Sequence, residues 1–505
     1  MLIAAMRSAT LTLLILWAQG IAAQEDTIAS RYARLIDVLD LRRHLEILAS
    51  DSFMGRDTGK EGQKLAAVYL KERFKEMGVP PLARNGVEQG YFQPYELIES
   101  KKGTISVRTA KQELNWPKDV LYFVEDLDGS FEINRLVPVG AEDLGERVDF
   151  SRAAAVLDAR SLELGGSGFR AVQERLEGAK SKGFRVALIV VKEELKEQLT
   201  GFVHVGATTM RLPAADEKEK VGSKGIQPLY ITEKVLVRIA GRPGAKALLN
   251  PKGAKGTKAS IVVVREQGET RVQAENVLAF IEGTDKRDEV IVITAHYDHI
   301  GVEDGVVYNG ADDDGSGTVA LIEIAEAFMR ASEQGDRPRR SILVMPVSGE
   351  EKGLLGSRYY SDNPVFPMEQ TVANLNIDMI GRVDSAHLTT APYVYIIGSD
   401  RLSSDLHAVN EEANARHVGI VLDYTFNSED DPNRFYYRSD HYNFARKGVP
   451  CIFYFSGVHE DYHQPGDDVE KIRFDLLESR AKLVFHTAWI LANRSERIQV
   501  DKPVR

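Results

Sequence analysis

Apolar residues recur at helical spacing over residues 28–48, where Leu35, Val38, Leu39, Leu45 and Leu48 fall together. They do so again over residues 59–77, with Ala66, Tyr69, Leu70 and Phe74. That period predicts two amphipathic helices, and the polar run 50–57 between them reads as a turn. Residues 91–98 and 103–108 read as extended. From Ala274 onward, short apolar runs alternate with amphipathic stretches. Residues 290–295, 341–347, 374–378, 393–397 and 451–455 predict strands. Residues 317–330, 354–360, 403–415 and 474–493 predict helices. This alternation implies an α/β fold with a mixed, mostly parallel sheet covered by helices on both faces.

Residues 116–265 have a different texture. Strand-like runs at 153–157, 186–191 and 261–264 and a helical run at 171–182 lie among residues with no metal-ligand cluster. The stretch reads as an inserted module that splits a main domain into residues 24–115 and 266–505. A chain of 505 residues allows two to four domains at ~100–200 residues each, and the texture favours two. At the start, one positive charge in residues 1–7 precedes an apolar run over 9–21. Ala22-Ala23 and Gln24-Glu25-Asp26 follow. This is the layout of a signal peptide cut near Ala23, which implies a secreted or periplasmic protein. The apolar run is short for a stable membrane anchor, which needs about 20 residues.

Composition then narrows the chemistry. The formal charge is −11 and no Lys/Arg block stands out, which excludes an electrostatic nucleic-acid partner. The single cysteine, Cys451, excludes an intrachain disulfide and a thiolate zinc finger. Any metal must be held by His, Asp and Glu.

Those residue types collect where strands end, the place where α/β sheets bind ligands. His296 and Asp298 follow run 290–295, a pair in which one side chain ligates and the other orients it. His299 beside them reads as structural. The run Asn309-Gly310-Ala311-Asp312-Asp313-Asp314-Gly315-Ser316-Gly317 converges carboxylates before a helix. Its bland reading is an acidic helix cap. Asp312, Asp314, Ser316, Gly317 and Glu323 also fit a calcium-loop spacing, but glycines in 301–310 argue against the helix such a loop needs. Glu350-Glu351 follows run 341–347, where neighbouring carboxylates could divide metal binding from proton transfer. Asp378 ends an apolar run, and His463 follows run 451–455. Ser439-Asp440-His441 carries the letters of a hydrolytic triad, but adjacent residues do not face one another. His459, Tyr437, Tyr454 and Tyr462 are open between lining a site and packing. Region 425–437, with Phe426, Phe435, Tyr436 and Tyr437, is a candidate specificity wall.

In their order and spacing, the stretches 294–299, 309–317, 348–357, 376–382 and 462–468 resemble peptidase family M28, the zinc-dependent exopeptidases that include bacterial aminopeptidases. The resemblance implies a phosphorylase/hydrolase-like zinc exopeptidase fold, and the middle stretch resembles a protease-associated (PA) domain. It implies two Zn2+ per chain and peptide substrates. Asp312 would bridge both metals, Glu351 and His463 would complete one site, and His296 and Asp378 the other. Glu350 would be the general base and Asp298 would orient His296. The peptide bond between Asp312 and Asp313 would be cis. Gln464 stands where relatives often carry Thr. An aminopeptidase is the expected activity. A glutaminyl-cyclase-like acyltransferase, an M28 carboxypeptidase and a non-catalytic binding protein on the same fold are the alternatives.

Overall fold

The computed structural model describes residues 27–101, 105–123, 130–139, 149–162, 168–201, 208–213, 225–250, 256–265 and 269–503. The expected signal peptide, 1–23, lies outside them. The chain divides into two units, Met1–Leu97 with Val272–Arg505, and Ile98–Arg271.

The first unit is built on a seven-stranded sheet. Its strands are β1 (Ala279–Ile281), β2 (Lys286–His296), β3 (Arg340–Val347), β4 (Thr371–Ile377), β5 (Tyr393–Ile397), β6 (Val421–Asp423) and β7 (Cys451–Phe455), in the order β1-β3-β2-β4-β7-β5-β6. The β3-β2-β4-β7 core is parallel, with His296 opposite Val347 and Leu375 opposite Ile452. β1 and β5 run antiparallel to their neighbours β3 and β7. The sheet is therefore mixed and mostly parallel, as the alternation of runs implies. Every residue of β3, β4 and β7 is buried, which is why β7 and most of β3 read as continuous apolar runs, while the buried Asn374 and Asn376 of β4 bond to Thr294 and Ser439. Parallel pairing sets the carboxyl ends of β2, β3, β4 and β7 along one edge. His296, Glu350, Asp378 and His463 follow those ends.

Helices α1 (Val38–Leu48), α2 (Glu61–Glu76), α3 (Gly317–Glu333) and α4 (Leu355–Asp362) precede α5 (Ser404–Ala413), α6 (His441–Ala445) and α7 (Phe474–Asn493). The single helix expected over residues 28–48 is two. Asp37 interrupts it, accepting from the backbone N–H groups of Leu39 (2.7 Å) and Asp40 (3.0 Å) to cap α1. Residues 301–308 form a short hairpin, Gly301–Glu303 with Val306–Tyr308. No helix precedes the aspartate run, so the calcium-loop reading fails. No described helix is long and apolar enough to cross a membrane.

The second unit has its own seven-stranded sheet. It runs Glu113–Leu114, Ile105–Thr109, Thr257–Arg265, Ser130–Pro138, Ala153–Asp158, Val186–Val191, Gln227–Thr232. The boundaries expected at 116 and 265 fall inside this unit. They move outward because Ile105–Thr109 pairs along Ile261–Arg265 as an integral strand of the sheet.

Glu323 sits on α3, 1% exposed, with Oε1 3.5 Å from His44 Nε2 on α1. His44 Nδ1 lies 2.6 Å from the Tyr69 hydroxyl on α2. Burial, then the nearby Asp40 charge, pushes the Glu323 carboxyl up to about 9. Burial lowers His44 to about 4. The contact is thus neutral, and it ties three helices. Unfolded, the carboxyl releases its proton near 4.5, while folded it keeps it to about 9. Over that window the unfolded chain binds fewer protons, so stability falls as pH rises. Glu323→Gln removes this penalty. Its melting temperature, relative to the unmodified protein, should rise between about pH 5 and about pH 8. Equal offsets at both pH values contradict the assignment.

Candidate metal centre

β2 delivers His296, 1% exposed, to the sheet edge. Its Nε2 lies 3.3 Å from Asp313 Oδ1, 3.6 Å from Asp378 Oδ1 and 4.0 Å from Glu350 Oε2. Asp378 Oδ2 accepts from Ser439 Oγ at 2.6 Å, and Ser439 Oγ accepts from Asn376 Nδ2 at 2.8 Å. Ser439 thereby aims the Asp378 carboxylate rather than serving a triad. Across the cavity, His463 Nε2 lies 3.2 Å from Asp313 Oδ2 and 3.3 Å from Glu351 Oε2. Buried His299 places Nδ1 2.8 Å from Glu351 Oε1. The His-x-Asp-His spacing alone does not say which imidazole enters the site. His299 is therefore a site residue that the sequence reading set aside.

The aspartate that stands between His296 and His463 is Asp313, not Asp312, the expected bridge. Asp312 turns the other way. Its Oδ1 accepts from the Gly381 N–H at 2.6 Å, and its Oδ2 faces His459 Nε2 at 3.3 Å. His459 is accounted for by that contact. The cis peptide likewise joins Asp313 to Asp314, one bond later than expected. Asp314 is consumed by backbone, accepting from the N–H groups of Gly317 (2.8 Å), Met379 (3.0 Å) and His296 (3.2 Å). Three consecutive aspartates thus point three ways. Only the turn's dihedrals decide which one reaches the cavity, and residue spacing does not encode them.

Asp298 also differs from expectation. His296 Nδ1 pairs with the Asp298 backbone carbonyl at 3.0 Å, while the nearer carboxylate oxygen is 3.8 Å away. The carboxylate instead accepts from Thr58 Oγ1 (2.6 Å) and from the Glu350 N–H (3.3 Å). Its side chain therefore positions the segment bearing Glu350. Arg56 is a further contributor absent from the sequence reading. Buried, it donates to the carbonyls of Leu48, Tyr297, Asn309 and Gly310 at 2.7–2.9 Å.

Electrostatics follow from burial and crowding. Burial alone would lower His296, but the Glu350 charge and the hydrogen bonds to Asp313 and Asp378 hold it well above the ordinary imidazole range. Burial would also lower His463, yet Asp313 and Glu351 raise it to about 10. Burial drives Glu350 well above the usual carboxylate range, partly offset by His296 and reinforced by Asp378 and Glu351. Burial acts upward on Asp313 too, but contact with His296 and His463 keeps it well below.

The donors form two groups with ligand atoms within 4.8 Å of one another, His296, Glu350 and Asp378, and His299, Asp313 and Glu351. Asp313 Oδ2 and Glu351 Oε1 are buried without a hydrogen-bond donor. Imidazole and carboxylate donors crowded around unbalanced negative charge fit zinc.

The cavity is lined on its other side by Met379, Phe435, Phe453, Phe455 and Val458, with Arg438, Tyr462 and His463 beside them. Of the candidate wall in 425–437, Phe435 lines the cavity. Phe426 packs on Tyr395 and Phe435 (centroids 4.4 and 4.8 Å). Tyr454 is core, donating to Asn410 Oδ1 at 2.8 Å. Tyr462 stacks on His463, with centroids 3.9 Å apart.

Residues 276–488 match the family model described as peptidase family M28. A probable zinc metalloprotease of Pyrenophora tritici-repentis is 28% identical over 259 residues, covering 44% of this chain and 52% of that protein. A probable glutamate carboxypeptidase of Arabidopsis thaliana is 28% identical over 226 residues, 44% of this chain and 29% of that protein. The chain thus spans about half or less of the length of these relatives. The aminopeptidase from Aneurinibacillus sp. strain AM-1 shares the fold. Its TM-score is 0.56 at 17% identity, covering 94% of this chain and 100% of that one. With the family match lying on the segment that supplies His296, Asp313, Glu350, Glu351, Asp378 and His463, residues 276–488 form a peptidase family M28 domain.

Proposed function

We propose that this chain is an exported exopeptidase that removes N-terminal residues from peptides and uses two zinc ions. One observation carries the reading. Asp313 directs its two carboxylate oxygens to two different histidines, Oδ1 to His296 and Oδ2 to His463, while Glu350 and Glu351 part to opposite sides. His296 and Asp378 would hold one ion, Glu351 and His463 the other, with Asp313 shared. Zinc in such a site supplies Lewis-acid polarisation of the scissile carbonyl and acidifies the attacking water.

Glu350 is the base in this scheme. It takes the water proton and returns it to the leaving amine. A carboxyl whose burial holds its pKa up suits both halves of that task. The Asp298 carboxylate fixes the Glu350 backbone, and Ser439 fixes Asp378. The apolar side of the cavity takes a substrate side chain. Residues 1–23 act as the export signal, and unit Ile98–Arg271 is the PA-like module.

The deciding experiment compares peptides with free and blocked N-termini, with and without a chelator, on protein of measured metal content. Chelator-sensitive cleavage of the free form alone is expected. Cleavage at the other end identifies a carboxypeptidase, and cyclisation of N-terminal glutamine with one zinc per chain identifies a cyclase. No chelator-sensitive turnover of any peptide identifies a binding protein.

Two substitutions test the assignments. Glu350→Gln should retain zinc and lose roughly 10^2–10^4-fold in kcat, and normal turnover removes Glu350 from the mechanism. After dialysis, Asp313→Asn should retain less zinc per chain by elemental analysis than Asp312→Asn. The reverse order would return the bridging position to Asp312.

A further inference from the structure

Arg438 is the only Lys or Arg among the residues lining the cavity. Its guanidinium lies 4.8 Å from the Phe435 ring centroid, and Nη2 donates to the Tyr462 hydroxyl at 3.4 Å. Tyr462 in turn stacks on His463. Arg438 is exposed, and among the described residues it forms no ion pair with a carboxylate. Nearby Arg382, by contrast, is paired with Asp461 at 3.1 Å. The guanidinium is thus braced at the mouth of an otherwise acidic and apolar cavity, with no carboxylate of the described residues within ion-pair distance.

A planar guanidinium with free N–H groups matches a carboxylate with two parallel hydrogen bonds. Stacking on Phe435 reduces the freedom lost when such a partner arrives. Tyr462, a hydroxyl with no charge, does not satisfy it. We propose that Arg438 is a specificity-determining residue that binds a carboxylate of the peptide substrate. That carboxylate belongs either to the free C-terminus of a short peptide or to an acidic side chain next to the scissile bond. This inference rests on the peptidase reading and names the substrate class for it.

The test reads binding without turnover. On zinc-loaded Glu350→Gln protein, calorimetry compares Leu-Leu with Leu-Leu-amide, and Leu-Glu-amide with Leu-Gln-amide. At least one carboxylate-bearing member should bind about tenfold tighter than its neutral twin. The first pair reports a C-terminal carboxylate and the second an acidic side chain. Adding Arg438→Gln should bring the ratio to within about twofold, and Arg438→Lys should keep part of it. Equal affinities within both pairs overturn the proposal, as does a preference that survives Arg438→Gln, or no binding by any peptide. Equal loss for charged and neutral twins also overturns it, placing Arg438 on the peptide backbone instead. Peptidase activity of the unmodified protein is scored separately. Chelator-sensitive cleavage without the carboxylate preference would refute Arg438 alone.

Discussion

The structure depends on how it disposes of buried negative charge. Asp298, Asp312, Asp313, Asp314, Asp378 and Asp467 all lie buried in one unit, with Glu351 half-buried beside them. An unpaired buried carboxylate costs several kcal/mol, so each needs donors. The protein sorts them. Asp314 takes three backbone N–H groups, from the end of β2, the end of β4 and the start of α3. Asp467 takes the N–H groups of Asp312 and Asp313 at 3.0–3.1 Å. Asp298 takes Thr58 and the Glu350 N–H. These carboxylates are satisfied by the protein, and they lock strand ends to the turn that carries Asp313. What remains inadequately supplied is Asp313, Glu350 and Glu351, which face histidines and the cavity. Saturated carboxylates build the cradle, and undersaturated ones are left for a cation.

The same sorting explains the backbone around the cavity. Gly310 adopts φ 55°, and a Cβ there would stand 2.3 Å from the Asp313 carbonyl and 2.4 Å from the His299 ring. Only glycine lets His299 and the aspartate turn approach. Met379 and His463 hold positive φ of 57° and 56° without that freedom, a cost of ~1–3 kcal/mol each. Met379 is held there by its N–H bond to Asp314. Arg56 adds a cation made immobile by four carbonyls, and it pins the turn after α1 to the chain around Tyr297 and Gly310. Residues distant in sequence from the catalytic segment thus enter its geometry through backbone carbonyls, where no side-chain motif betrays them.

Much of this was legible before any coordinates. Residues 393–397, 451–455 and 474–493 are expected as elements with the bounds the structure gives, because the first two are short apolar runs and the third mixes apolar and polar residues as an amphipathic helix does. The alternation of strand and helix gave the sheet class, and strand ends marked where chemistry would gather. The failures share one cause. Asp312 against Asp313, the Asp298 carbonyl against its carboxylate, and His299 against a packing histidine are choices between neighbours one bond or one residue apart. Turn dihedrals decide them, and hydrophobic periodicity carries no information about those. The unit boundary differs from expectation for another reason. Ile105–Thr109 is short and unremarkable as sequence, and only its pairing along Ile261–Arg265 assigns it.

The two halves of the cavity are not equivalent in their exposure. His296 is 1% exposed, hemmed by Asp313, Asp378 and Glu350. The His463 side chain is 40% exposed, carried on a loop after β7 and covered only by Tyr462. On the closed side Glu351 Oε1 lies 2.8 Å from His299 Nδ1, and its Oε2 turns to His463. His463, Tyr462 and Arg438 therefore form the more open side of the cavity, and His296 lies on the closed side with Glu350. Glu350 thus lies on the closed side, where burial keeps its carboxyl pKa raised. Under the proposed reading, a closed end beside Glu350 suits the attack of water on a terminal residue more than on the middle of a long chain.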